Sequence, residues 1–344
     1  MRFYICLLLV IASNMAAATA FSPSAGHDKT TSTTTTSLSS YLDSMMNPNG
    51  GATQPKPASY GFSGKSYTNV PSSPFNGQAS TAVASEEASV SFPFAKADYF
   101  DTSFLVSKGP RATFDWGAPA DATRKLCDDG LLRVGAWFCT NGGWESPNPK
   151  AATEVFWVLS GHGKLTDADG VEHYFGPGDN VIIPKGHTGR WDVYEPIHKV
   201  WAVNAHANIE ETGSPVRVQV DHYHSWNEEL LAALPLDNDG AVVADPLFGP
   251  FLQSSNGAAP SAKVFYNVGP TQVGVWSSPA GSTYQVQQGG RAWVYCLEGV
   301  MFITNGQTGE ARRCEAGDTI ALPKGWYGYV DVVEGTKQLF TVAK

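Results

Sequence analysis

The sequence has few cysteines and histidines, few basic residues and no long apolar run. Its five cysteines include no C-x-x-C pair, so neither a zinc site nor a dithiol redox motif is indicated. No stretch reaches the roughly 20 apolar residues of a membrane-spanning helix. Lysine and arginine number 23 against 32 acidic residues, a formal net charge of -9, which argues against nucleic acid or an anionic membrane as a partner. The fingerprints of P-loop, Rossmann and serine-hydrolase sites are missing as well.

The N-terminus carries targeting features. Met1-Arg2, an apolar run from Phe3 to Ala12 and the small residues before Phe21 predict a signal peptide over residues 1–20. Residues 21–45 are dense in serine and threonine and poor in acids, as organelle transit peptides are. The junction from Ala18 to Pro23 resembles the bipartite presequences of diatoms and related algae. That resemblance implies a plastid, and the four unpatterned cysteines beyond the signal peptide agree with a reducing stroma.

The rest of the chain divides by composition. Residues 46–91 are rich in proline, glycine, serine and asparagine, which predicts a disordered linker. The remaining residues are enough for two domains of ordinary size. We place these domains at 92–205 and 263–344, with an interdomain segment at 206–262 that contains a helical turn at 227–234.

From Gly135 onward the sequence repeats itself after about 139 residues. Gly135-Ala136-Trp137 returns as Gly274-Val275-Trp276. GPGDNVIIPKG, which ends at Gly186, returns as EAGDTIALPKG, which ends at Gly325. A spacing held over several landmarks indicates two copies of one domain.

Within each copy, short runs of β-branched and aromatic residues alternate with glycine, proline and aspartate turns. Runs of this length and spacing predict an all-β sandwich or barrel. Asp169-Gly170 and Asn305-Gly306 are suited to hairpin turns between strands. Pro184 and Pro323 are expected to end strands, because proline cannot donate to a sheet.

Both copies resemble the cupin superfamily. Each contains the G-x5-P-x-G core of the second cupin motif, as Gly178, Pro184 and Gly186 and as Gly317, Pro323 and Gly325. Glu154 and Gly161 match the end of the first cupin motif. The copies are similar to the cupin subgroup that includes ureidoglycine aminohydrolase, with its tryptophan-rich strands and PKG turn. The resemblance covers about residues 92–344 as a bicupin and implies two tandem jelly-roll β-barrels.

Enzymatic cupins usually hold a metal ion through three histidines and one glutamate, and this set is incomplete here. In the first copy the glutamate is Glu154 and the third histidine position is Gly189. The two upstream histidine positions are Asn148 and Lys150, or Pro147 and Pro149 with the longer spacer. In the second copy the glutamate position is Ala292 and the third histidine position is Gly328. Because one carboxylate does not hold a transition metal against water, we expect both barrels to lack a metal or other cofactor.

Several residues remain as candidates for chemistry. Glu154 is a candidate general base if burial raises its pKa, although a structural carboxylate is the alternative. Trp144, Glu154, His187 and Trp191 are candidates for binding a ligand in the first barrel, whereas aromatic core packing and a loop position for His187 are the alternatives. His222, His224 and Glu228 reproduce the H-x-H-x3-E metal-ligand spacing. They lie between the copies, where an interdomain structural role competes with a surface metal site.

Three functions fit these observations. The first is a non-catalytic, self-assembling protein, since two homologous regions, a plastid address and no complete site resemble the shell proteins around the diatom pyrenoid, the Rubisco compartment. Its partners would be further copies of itself and other pyrenoid proteins. The second is a Mn or Fe cupin enzyme of the ureidoglycine aminohydrolase type. The third is a metal-free cupin that binds a small ligand. We favour the first, because the repeated residues build the fold whereas the ligand positions do not repeat.

Overall fold

The computed structural model describes residues 91–206, 216–222, 231–249 and 252–344. The predicted signal peptide, the transit peptide and all but the last residue of the linker lie outside these residues. The described part is built from β-strands, with two 3₁₀ turns at Ala97–Phe100 and Thr102–Phe104. No helix within it is long and apolar enough to cross a membrane. The all-β fold expected from the sequence is confirmed.

The first half of the described chain is a sandwich of a seven-stranded and a five-stranded antiparallel sheet. In spatial order, the seven-stranded sheet contains β13 (Gln219–His222), β10 (Asp179–Ile183), β7 (Thr153–Ser160), β12 (Ile197–Asn204), β5 (Leu132–Cys139), β4 (Ala120–Asp128) and β2 (Val106–Pro110). The five-stranded sheet contains β3 (Trp116–Gly117), β6 (Gly142–Ser146), β11 (Gly189–Val193), β8 (Gly163–Asp167) and β9 (Glu172–Phe175).

The second half has the same plan, but two long strands run through both of its layers and join them into one ten-stranded sheet. The main path of this sheet contains β1 (Phe94–Ala95), β21 (Thr319–Leu322), β19 (Arg291–Asn305), β22 (Tyr327–Ala343), β17 (Thr271–Ser278), β16 (Ser261–Val268) and β14 (Ala232–Ala233). Its side branches are β15 (Leu252–Ser254), β18 (Thr283–Gln287) and β20 (Ala311–Glu315).

The two halves pack through the same face of each copy. Along β7, Val155 and Trp157 point toward the other half, whereas Phe156 and Val158 point into the first sandwich, as the two-residue period of a strand requires. The core between the halves joins residues from both copies, among them Val134, Ala136, Val155, Trp157 and Val200 from the first and Val273, Val275, Trp293, Tyr295 and Leu339 from the second. Because the two sets occupy matching positions of the repeat, the halves are related by a pseudo-twofold axis.

The repeated glycines serve the fold. A side chain at Gly135 would place Cβ 2.5 Å from the backbone oxygen of Arg124, and Gly274 lies equally close to the backbone oxygen of Lys263. Gly161 and Gly299 both have a left-handed φ, of 84° and 82°. Their equivalent positions and equal geometry explain why these residues recur in both copies.

Each half receives a strand from the segment that precedes the other copy. The short strand β1, which comes before the first copy, pairs with β21 of the second half. The strand β13, which comes before the second copy, pairs with β10 of the first half. Val181 and Ile320 are matching positions of the repeat, and each pairs with an exchanged strand. The sequence assigned residues from 92 onward to the first domain, whereas Phe92 packs in the core of the second half.

Among the local predictions, the turns and strand ends agree with the structure better than the predicted helical turn does. Asp169-Gly170 lies between β8 and β9, whereas Asn305 is the last residue of β19 and Gly306 begins the turn that leads to β20. The strands β10 and β21 end one residue before Pro184 and Pro323. The predicted helical turn at 227–234 is wrong in the part that the structure describes. Residues 227–230 lie outside the described part, and Ala232–Ala233 form the strand β14, because they pair with β16.

Candidate functional site

The candidate site is a cavity of about 310 Å³ in the first half. The strands β4, β5, β7, β11 and β12 contribute most of its walls, and the segment around β2 covers its rim. Its lining contains four tryptophans and seven charged side chains. The complete lining is Lys108, Arg111, Asp121, Thr123, Arg133, Trp137, Trp144, Lys150, Glu154, Trp191, Lys199, Trp201 and Val203.

At the inner end of the cavity, one carboxylate lies between two ammonium groups. The Nζ of Lys199 donates to Oε1 of Glu154 at 2.7 Å, and the Nζ of Lys150 donates to Oε2 at 3.0 Å. Glu154 stands on β7, and Lys199 stands on the neighbouring strand β12 with a side chain only 3% exposed. We call these three residues the lysine–glutamate triad. Both oxygens of the carboxylate are engaged by charged donors, which makes these hydrogen bonds stronger than neutral ones.

Aromatic rings surround the ammonium group of Lys199. Its Nζ lies 3.7 Å from the ring centre of Phe156 and 4.8 Å from the ring centres of Trp137 and Trp191. Trp191 stacks on Trp144 with ring centres 5.9 Å apart. A cation over an aromatic face is attracted to the negative side of the ring. The rings therefore compensate part of the cost of burying this charge.

Burial and charge act in opposite directions on the triad. Burial alone would raise the pKa of Glu154, but the ammonium groups of Lys150 and Lys199 outweigh it and hold that pKa well below its usual range. Burial lowers the pKa of Lys199 to about 8, against the attraction of Glu154. Glu154 therefore stays charged at neutral pH and is already neutralised by lysines, so it is unsuited to act as a general base.

The rim of the cavity is cationic. The guanidinium of Arg111 stacks on Trp144 at 3.9 Å from the ring centre and pairs with Asp121 at 3.0 Å. Lys108 and Arg133 form no salt bridge among the described residues. With five basic and two acidic side chains, the lining has a formal net charge of +3, in a chain whose net charge is -9.

The residues of this cavity do not fit a transition metal. The position of one cupin histidine is Lys150, and its ammonium group has no lone pair to donate to a metal. The two oxygens of Glu154 are already taken by ammonium groups. Within the described ranges, no three histidine, cysteine, aspartate or glutamate side chains are grouped so as to hold a metal ion. A lysine ammonium thus lies beside Glu154, where the cupin resemblance would place a metal cation.

The second half has an uncharged counterpart. Strand pairing and the turn hydrogen bonds place Gln288, Ala292 and Gln338 at the positions of Lys150, Glu154 and Lys199. Gln288 and Gln338 are both buried. The charge of the first site is therefore absent from the second.

The inner part of the second site is also filled by the chain itself, and a cavity of about 710 Å³ lies beside this filling. Phe248 packs edge-on against Trp276, with ring centres 5.5 Å apart, and Leu247 accepts a hydrogen bond from Gln288 at 2.9 Å. Asp245 accepts from Nε1 of Trp276 at 3.0 Å and from the backbone of both Leu247 and Phe248. We call residues 245–248 the plug. Trp276 and Gln288 correspond to Trp137 and Lys150, which line the cavity of the first half.

The candidate residues from the sequence divide between this cavity and other places in the fold. Trp144, Glu154 and Trp191 come together in the cavity, but His187 does not line it. His187 is buried and pairs through Nε2 with Asp167 at 2.9 Å, an aspartate that also pairs with His173. His222 ends β13 and pairs through Nδ1 with Asp179 at 2.7 Å.

His224 and Glu228, the other two residues of the H-x-H-x3-E spacing, lie outside the described residues. Their metal site therefore stays a prediction.

Sequence reasoning missed Lys199 as a central residue of the site and treated Lys150 only as a lost ligand. The signal for Lys199 was present. In the strand IHKVWAVN, Lys199 lies two residues from both Ile197 and Trp201, so the three side chains share one face of the strand. The apolar Ile197 and Trp201 mark that face as the inward one. A lysine at an inward position is rarely buried without a charged partner.

Comparisons with known proteins agree with this fold. Residues 127–201 match the family model of the EutQ-like cupin domain. A solved structure of a protein of unknown function from Pseudomonas syringae pv. tomato str. DC3000 is 14% identical with a TM-score of 0.51, covering 72% of this chain and 97% of that one. A protein named as glyoxylate-induced, from Pseudomonas aeruginosa, is 15% identical with a TM-score of 0.51, covering 76% and 93%.

Salicylate 1,2-dioxygenase from Pseudoaminobacter salicylatoxidans, in a variant form, is 11% identical with a TM-score of 0.44, covering 64% and 75%. That score is too low to carry an argument. A comparison with curated proteins found no significant match. Fold and site together define a cupin-fold protein. Its first half contains the EutQ-like cupin domain at residues 127–201. At these identities the likeness shows the fold alone.

Proposed function

We propose that this chain is a non-catalytic cupin-fold protein that self-associates through exchanged strands. The observation that carries the proposal is the reciprocal exchange of β1 and β13 between the halves. A strand that one half lends to the other within a chain is equally able to pair with the same half of a second chain. Reciprocal exchange between two chains closes into a dimer, whereas head-to-tail exchange builds an open array when its rotation does not close, and we propose the head-to-tail form.

The acceptor site for β1 is specific. The backbone of Phe94 and Ala95 pairs with Ile320 and Thr319 of β21. Lys96 follows the strand and reaches the buried carboxylate of Asp318 at 2.8 Å. Main-chain pairing supplies affinity and the lysine–aspartate contact sets the register.

The lack of a conventional catalytic site supports a structural role. In the first half the lysine–glutamate triad occupies the cupin metal position, and in the second half two glutamines and the plug occupy it. Within the described residues neither set groups three side chains as metal ligands, and both oxygens of Glu154 are engaged by lysines, so no observation favours the Mn or Fe enzyme alternative. What the two copies share is the packing surface between them.

The plastid stroma is the proposed location, and the shell of the diatom pyrenoid is the proposed assembly. This part rests on the presequence over residues 1–45 and on the similarity in architecture to pyrenoid shell proteins. A fluorescent fusion of the full chain tests it. A ring around the pyrenoid is expected, whereas diffuse stromal fluorescence or entry into the secretory route would overturn the location.

A cysteine pair across the exchanged strand tests self-association. We expect the chain without residues 1–45, carrying Ala95→Cys and Thr319→Cys, to form a ladder of covalent multimers under mild oxidation, because these residues are strand partners. The ladder should lengthen with protein concentration, and negative-stain microscopy should show sheets or tubes.

Each single cysteine variant is the matched control and should give no ladder. Cross-linked monomer alone, together with a strictly monomeric mass by light scattering at every concentration, would rule out self-association. Arrays that contain only cross-linked monomers would keep self-association but reject strand exchange as its contact.

A further inference from the structure

The two halves differ most at the position where a cupin holds its ligand. The second half has no charged side chain at the three positions of the triad, and the plug fills the inner part of its site, with Leu247 and Phe248 almost completely buried. A cavity of about 710 Å³, lined in part by Asp245, Leu247 and Gln272, lies beside the plug. The first half has an open cavity of about 310 Å³, and the chain places buried charge at its inner end. A buried ion pair of this kind does not by itself stabilise a fold, since apolar side chains of similar size do as well or better. The contrast points to a use for the charge in the first half.

The charge of the cavity selects for an anion. The triad has two ammonium groups for one carboxylate, and the Arg111–Asp121 pair is neutral. Lys108 and Arg133 add two positive charges that no acidic side chain in the described part of the chain neutralises through a salt bridge. Arg133 corresponds to Gln272 in the second half, so this charge is also specific to the first. In a concave site, such charges concentrate anions.

The walls select for a flat ligand. Trp137, Trp144 and Trp191 form a connected group, with Trp137 and Trp191 ring centres 5.8 Å apart. All three line the cavity, and Trp201 completes its aromatic surface. Stacking on such faces favours planar, conjugated groups over saturated ones. A cavity of this volume lies at the lower end of small-molecule sites.

From these observations we propose that the cavity of the first half binds a small planar organic anion, a conjugated carboxylate whose charge meets Arg133 and Lys108 while its body lies against the tryptophans. The proposal concerns a different surface from the exchanged strands and does not depend on self-association. It requires no metal and no chemical step. The second half, with Gln272 and the plug at the matching positions, is expected to bind no such ligand.

Benzoate is the probe that tests the proposal. Benzoate, titrated into the protein that lacks residues 1–45, should quench tryptophan fluorescence in a saturable manner. Benzamide, its neutral isostere, should bind at least tenfold more weakly because it lacks the charge. Cyclohexanecarboxylate should also bind more weakly because it cannot stack flat on the rings.

Arg133→Gln, which copies the second half, should weaken benzoate binding about tenfold, the effect of one lost charge-assisted hydrogen bond. Arg312→Gln removes a positive charge from an exposed position of the second half and is the matched control, so it should leave the affinity unchanged. Far-ultraviolet circular dichroism of both variants checks that they are folded. The absence of saturable quenching, equal binding of benzamide, or unchanged affinity in Arg133→Gln would overturn the proposal.

Discussion

At the scale of single residues, the unusual feature of this protein is a buried lysine beside Glu154, the one residue that matches a cupin metal ligand. Lys199 is 3% exposed, and its charge is balanced by Glu154 and by three aromatic rings. Charged groups are expensive to bury, and the cost is met only when each has a partner. Removing one member of the lysine–glutamate triad should therefore cost more than removing all of them.

The first prediction follows from this difference between removing one member of the triad and removing all three. Glu154→Gln leaves Lys199 buried without its counter-ion and should lower the free energy of unfolding by about 3–5 kcal/mol. The triple variant Lys150→Gln, Glu154→Ala and Lys199→Gln copies the second half and should recover a large part of that loss. Urea unfolding of each variant gives the measurement. Glu310→Gln, which changes an ion pair whose two partners are both exposed, is the control and should change stability by less than about 0.5 kcal/mol. A triple variant less stable than Glu154→Gln would contradict this account.

The second prediction concerns acid. The folded pKa of Glu154 is lowered below its ordinary value of 4.5, so the unfolded chain takes up this proton first as the pH falls. The stability that the charged carboxylate contributes is thus complete above pH 4.5 and is lost progressively below it. The stability gap between the natural chain and Glu154→Gln should be largest near neutrality and should shrink below pH 4.5. Thermal unfolding of both proteins across this range measures the gap, and a gap that widens in acid would show that Glu154 is not held in its charged form.

At the scale of elements, the repeat preserves close approaches between strands. Gly135 on β5 and Gly274 on β17 leave no room for a Cβ against the neighbouring strands β4 and β16. Both are followed two residues later by a tryptophan that points into a sandwich core. The glycine of the G-x-W pattern thus allows a close approach between neighbouring strands that both copies need.

The third prediction tests this reason for the glycines. Gly135→Ala and Gly274→Ala should each destabilise the protein by about 1–3 kcal/mol, because Cβ would collide with a backbone oxygen that cannot rotate away. Gly335→Ala is the matched control. Its Cβ would meet its nearest neighbour at 3.8 Å, so the change should be close to neutral. Denaturant midpoints of the three variants provide the comparison, and equal midpoints would contradict the steric argument.

At the scale of the whole molecule, the two copies are bound together more firmly than tandem domains usually are. Their matching faces form a continuous apolar core, and the side chains of Asn204 and Thr341 hydrogen-bond within it at 2.7 Å. The exchanged strands β1 and β13 then tie each half to the segment that precedes the other. An interface so large and apolar argues that the halves unfold as one unit. It also leaves the outer surfaces of both halves, with their opposite orientations, available for contacts between chains.

Local patterns were sufficient to predict much of the fold. The glycine and proline landmarks, the strand ends before Pro184 and Pro323 and the all-β class follow from short-range rules about φ angles and missing amide donors. These rules depend on a few neighbouring residues, so they can be read along the chain. The helical turn at 227–234 was wrong at Ala232–Ala233, because pairing with a distant strand overrides the preference of alanine for helix.

The sequence by itself predicted the duplication, the all-β class and the residue types at the cupin ligand positions, since each of these is a matter of residue type at a spacing. Only the tertiary structure decided what surrounds Glu154. The register of β7, β12 and the turn at Lys150 brings two ammonium groups to one carboxylate, and the plug closes the second site with residues distant in sequence. Contacts of this kind depend on how strands pair and how a connecting segment folds back, which no local pattern encodes.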